Sequence, residues 1–67
     1  MAIFRDPVIL TFVDDSDREL ARLSNPQYVP RVGENVRLGK SPFRVARIGY
    51  DVPADAIERI WIVCTPS

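Results

Sequence analysis

The chain contains no histidine. That absence removes the commonest general base and the commonest metal ligand. A single cysteine, Cys64, excludes an intramolecular disulfide framework. It stands in an apolar segment with no histidine to activate it, which reads as a core or interface thiol rather than a nucleophile. The three glycines, Gly33, Gly39 and Gly49, are scattered and form no phosphate-cradling loop. No segment approaches the ~20 apolar residues that a membrane helix needs. Residues 1–13 carry Arg5 and Asp6 and lack the continuous apolar stretch of a secretory leader, so the expected location is the cytoplasm. Net charge is also missing: nine basic residues balance nine acidic ones. Low net charge favours association and argues against coating nucleic acid by bulk charge.

What is present is ordinary globular material, with 46% hydrophobic and 27% charged residues. At 67 residues the expectation is one domain, residues 1–67. A chain this short buries only ~60% of the surface of its unfolded form. It has no room for an enclosed substrate cavity beside its core. A ligand site must therefore be a face, a groove or an edge, and a small molecule would need a site between subunits.

Residues 8–13 (VILTFV) are β-branched and aromatic, bounded by Pro7 and Asp14, and predict a strand covered on both faces. Arg5-Asp6-Pro7 before them predicts a turn or bulge. Over residues 14–24, Ser16 followed by Glu19 matches a capping box, and Leu20 and Leu23 share one helical face. A short helix over residues 16–23, or a loop, is expected, ended by Asn25-Pro26. Residues 26–30 form an extended connector. Val32 to Asn35 predicts a tight turn, with Gly33 and Asn35 able to take positive φ. Val36 to Leu38 and Phe43 to Tyr50 read as two strands of a hairpin turning at Gly39-Lys40-Ser41. Within the second, Phe43 and Val45 fall out of phase with Ile48 and Tyr50, so a β-bulge is expected near Ala46–Arg47. Residues 57–65 are the last strand, with Ile60, Ile62 and Cys64 on one face and Trp61 and Val63 on the other.

The expected fold is mainly β: a small curved antiparallel sheet or partly open barrel of about four to five strands, with one short helix. Its core should contain Val8, Leu10, Phe12, Val36, Leu38, Phe43, Val45, Ile48, Ile60 and Ile62. The pattern Pro30-x-Val32-Gly33-Glu34-x-Val36-x-Leu38, followed by Phe43-x-Val45, Ile48, Tyr50 and Ile60-x-Ile62-Val63, resembles small Src-homology-3-like barrels. It is similar in particular to short uncharacterised proteins of bacteria, phage and mobile gene cassettes. The resemblance covers about half the chain and implies a fold, together with an origin on a mobile element, rather than a function. The chain lacks the acidic and aromatic loop with which peptide-binding members hold proline-rich ligands.

No cofactor motif is recognisable. The Asp14-Asp15-x-Asp17-x-Glu19 run lacks the glycine and spacing of a calcium loop and suits helix capping better. An enzyme would require a site assembled between subunits, with Asp51 or Glu58 as candidates. The informative feature is charge segregation. Arg31, Arg37, Lys40, Arg44 and Arg47 crowd the hairpin 31–47 against Glu34 alone, while residues 14–19 hold four acids and one base. Two functional readings follow. In the first, the chain is a self-associating, protein-binding module with Trp61, Tyr28 and Tyr50 at its interface, tryptophan being a common anchor unless a helix bearing Leu20 and Leu23 covers it. In the second, the basic hairpin binds nucleic acid, with aromatics to stack on bases. The same charges could instead face the acids of residues 14–19 within the molecule.

Overall fold

A computed structural model describes residues 4–67. The described residues form five strands and no helix: β1 (Phe4–Val13), β2 (Glu19–Ser24), β3 (Asn35–Leu38), β4 (Ser41–Asp51) and β5 (Ile57–Pro66). One sheet, ordered β2-β1-β5-β4-β3, curls into a nearly closed barrel. The expectation of a wholly antiparallel sheet is corrected at its centre, where β1 and β5 run parallel. A parallel pair needs a long connection between its members, and here the intervening β2, β3 and β4 supply it.

The helix expected over residues 16–23 does not form. Its capping residues serve a hairpin turn instead. The Asp14 carboxylate Oδ1 accepts the backbone N–H groups of Ser16 at 2.8 Å and Arg18 at 2.9 Å. The Asp14 N–H donates to the Arg18 carbonyl at 3.0 Å, and Asp17 takes a φ of 63°. Residues 19–24 then run back along β1 from Glu19 opposite Val13 to Ser24 opposite Ile9. A two-turn helix is marginal alone, whereas this edge of β1 offers a ready ladder of backbone partners. A register shift at Phe12–Val13 accompanies the turn, and Leu20 and Ala21 both pack on the core. Leu23, the other half of the expected helical pair, stays 49% exposed.

Leu10, Ile60, Ile62 and Cys64 are fully buried, with Val8, Phe12, Val45 and Ile57 around them. Val36, Leu38, Phe43 and Ile48, partly buried, pack against this cluster from β3 and β4, so every expected core residue lies in it or against it. The bulge expected in β4 lies between Val45 and Arg47. It restores phase: Val45 pairs with Cys64 and, one residue out of alternation, Ile48 pairs with Ile62. An irregularity also interrupts β1 between Phe4 and Ile9, where Asp6–Pro7 is a cis peptide. The turn before β3 closes over Arg31–Glu34, with Gly33 at a φ of 93°. Asn35 is already in strand; the asparagine with positive φ is Asn25, at 50°.

β1 is covered on both faces, as its composition predicts, but not by a helix. On the face turned away from the core, Thr11 is 1% exposed and Val13 4%. Thr11 stands in register between Arg22 and Trp61. Its hydroxyl finds no hydrogen-bond partner among the described residues. A buried hydroxyl left unpaired is costly. Thr11→Val is accordingly expected to stabilise the fold by about 1 kcal/mol, read as a rise in the urea midpoint at unchanged slope.

Candidate functional site

Residues opposite one another on neighbouring strands share a face. Arg44 stands opposite Asn35 and Thr65, Arg37 opposite Pro42, and Arg47 opposite Val63. Trp61 stands opposite Gly49, and Arg59 opposite Asp51. Val45, Ile60, Ile62 and Cys64 face the core, so the alternating positions Arg37, Arg44, Arg47, Arg59 and Trp61 all lie on the outer face of β3–β4–β5. The bulge decides this. Arg44 and Arg47 are three apart and would point to opposite faces of a regular strand; the extra residue turns both outward.

Trp61 is fixed by two neighbours. Its indole N–H donates to Asp51 Oδ2 at 2.8 Å, and the Arg59 guanidinium lies 5.1 Å from the ring centroid, within cation–π range. The ring is half-buried and no helix covers it. Arg37, Lys40, Arg44 and Arg47 form no salt bridge among the described residues. Of the acids at 14–19, Asp14 is spent on its turn and Glu19 pairs with Arg22 at 2.7 Å. Neither neutralises the hairpin.

The remaining sequence candidates lie elsewhere. Lys40 is at the tip of the β3–β4 turn, beside Gly39 at a φ of 66°. Arg31 sits in the turn that precedes β3, not on a strand. Its backbone N–H donates to Glu34 Oε1 at 2.6 Å, and the Tyr28 hydroxyl donates to the same carboxylate at 2.7 Å. Trp61, Tyr28 and Tyr50 therefore do not converge on one patch. Tyr50 faces inward opposite Ile60, and Tyr28 belongs to the connector. That connector walls a half-open groove of about 440 Å³, lined by Val8 and Ile60 with Pro26, Tyr28 and Val29. Asn25 builds one end of it: its Oδ1 accepts the Val8 N–H at 2.9 Å and its Nδ2 donates to Asp6 Oδ1 at 3.1 Å.

Residue-by-residue reading missed Arg59 and Gly49, and it named Asp51 only as a candidate for a site between subunits, not as the partner of Trp61. Arg59 was accessible from its spacing, two before Trp61 in an alternating strand. Asp51 and Gly49 were not, since only the β4–β5 register brings them beside that tryptophan. Cys64 is wholly buried, and burial pushes its thiol pKa up, away from reactivity. No group of three or more potential metal-ligating side chains converges among the described residues. Comparison with protein-family models, curated proteins and solved structures finds no match.

The Glu34 carboxylate is held below its usual 4.5 by the Arg31 N–H and then by the Tyr28 hydroxyl, and the same bond raises Tyr28 above its usual 10.0. A lowered acid stabilises the fold above its unfolded-state value and stops doing so as pH falls through the folded one. The turn before β3 should thus be intact at neutral pH and loosen below about pH 4.5. Carboxyl and Tyr28 ring resonances followed by NMR should titrate together there, and Glu34→Gln should abolish the shared titration of Tyr28.

Proposed function

We propose that this chain is a non-enzymatic binding module that holds single-stranded nucleic acid on the outer face of β3–β4–β5. The observation that carries the reading is the line of Arg37, Arg44, Arg47 and Arg59 along the outer face of β3–β4–β5, with Trp61 between Arg47 and Arg59 in the register and with Arg37, Arg44 and Arg47 in no salt bridge among the described residues. Guanidinium groups suit phosphates through their forked donors. An aromatic ring among them suits unstacked bases. Zero net charge does not oppose this, because charge acts locally: Glu34 is the one acid in residues 31–47, and the four acids of residues 14–19 belong to the β1–β2 end of the sheet order, opposite β3. We place the chain among Src-homology-3-like barrels, with which a nearly closed five-strand barrel is consistent, and in the cytoplasm. Affinity for a labelled single strand should fall steeply as salt rises. Arg37→Ala and Arg44→Ala should each weaken binding and each lower the salt slope by about one. Affinity unchanged in both variants would sink the proposal.

A second reading, self-association, is favoured by the groove and its surroundings. Tyr28, which lines the groove, is 61% exposed. Low net charge favours a second copy that would cover it. Sedimentation across a concentration series should then show a dimer or larger assembly insensitive to salt; a monomer at every concentration excludes it.

A further inference from the structure

Gly49 lies inside β4, where glycine weakens a strand and marks either a bend or a close approach by another group. Neither its conformation nor its packing asks for glycine. It is not among the residues of positive φ. A Cβ placed on it would meet nothing within 4 Å except the Cβ of Trp61, at an ordinary contact distance of 3.9 Å. Gly49 is half-buried, and the missing side chain leaves a strip of open space above its backbone on the outer face. Trp61 borders it across the ladder, and Arg47 and Asp51 border it along the strand. The strip is also open sideways, because β3 pairs with β4 from Ser41 to Arg44 and the bonding on that edge ends at Val45, which bonds Glu34 and Gly33. Trp61 stands at its edge already oriented by Asp51 and Arg59.

We propose that the strip over Gly49 seats one unpaired nucleobase against Trp61, with Arg47 and Arg44 taking the adjoining phosphates. This rests on the nucleic-acid reading above and adds to it where a base sits and why residue 49 has no side chain. A base is flat and needs an uncluttered floor beside an aromatic wall. A β-branched residue at position 49 would fill that floor while suiting the strand better than glycine does.

The test uses the whole chain, a fluorescently labelled oligothymidylate of about fifteen nucleotides, and an abasic strand of the same length. Trp61 is the one tryptophan and so reports directly on stacking. The thymidylate strand should quench its fluorescence; the abasic strand should bind about tenfold more weakly and leave it unquenched. Gly49→Thr should lower affinity for the thymidylate strand about tenfold, to the level of the abasic strand, without changing abasic binding. Arg37→Ala should weaken both strands equally. Gly49→Ala, which meets only the 3.9 Å contact, provides a milder variant should the threonine disturb folding. Equal affinity for the two strands, or wild-type affinity in Gly49→Thr, overturns the base seat while leaving phosphate binding in place. No binding of either strand at low salt overturns both, and binding of an acidic peptide alone would assign the face to a protein partner.

Discussion

The parallel pairing of β1 with β5 carries the structure. It sets Leu10 beside Ile60 and Phe12 beside Ile62, and so places the most deeply buried side chains in one layer. Everything else attaches to that pair: β2 on the far side of β1, β4 on the far side of β5, and β3 beyond β4. The described residues have one core cluster, and core burial is the main force opposing chain entropy. The antiparallel hairpins form from neighbouring segments. The central pair joins segments at the two ends of the described chain, and the inner face of the barrel closes only when they meet.

One extra residue in β4 links this core to the surface. Without the irregularity at Val45–Arg47, Ile48 would leave the core and Arg47 would enter it. With it, the strand keeps its apolar residues inside along its whole length and places Arg44 and Arg47 together outside. A single backbone feature thus serves both packing and the assembly of a basic face. Arg59 and Trp61 join that face from β5 because they alternate with Ile60 and Ile62.

The acids are distributed so that most of them meet local needs. Asp14 closes the β1–β2 turn, Glu34 closes the turn before β3, and Asp51 orients an indole. Each accepts bonds from N–H or O–H groups rather than from a hairpin cation. The carboxylates of Asp14 and Glu34 thus sit in turns as hydrogen-bond acceptors, while Arg37, Arg44 and Arg47 stand on the outer face of the strands.

Much was legible in residues alone. The apolar alternation of β4 and β5, the phase break that demands a bulge, the turn glycines Gly33 and Gly39, and the membership of the core all follow from periodicity and φ preference, which are local properties. The segment 16–23 was not legible, because a capping-box pattern and an Asp-stabilised turn use the same residue types, and only the free edge of β1 decides between helix and strand. The parallel sense of β1 and β5 was equally hidden, since strand direction depends on how the connection returns. The candidate site divides along the same line. Its arginines and tryptophan are local facts of composition and spacing. Their union on one face, Asp51 at the indole and Gly49 opposite Trp61 come from cross-strand register, which joins residues distant in the chain and exists only once the sheet has formed.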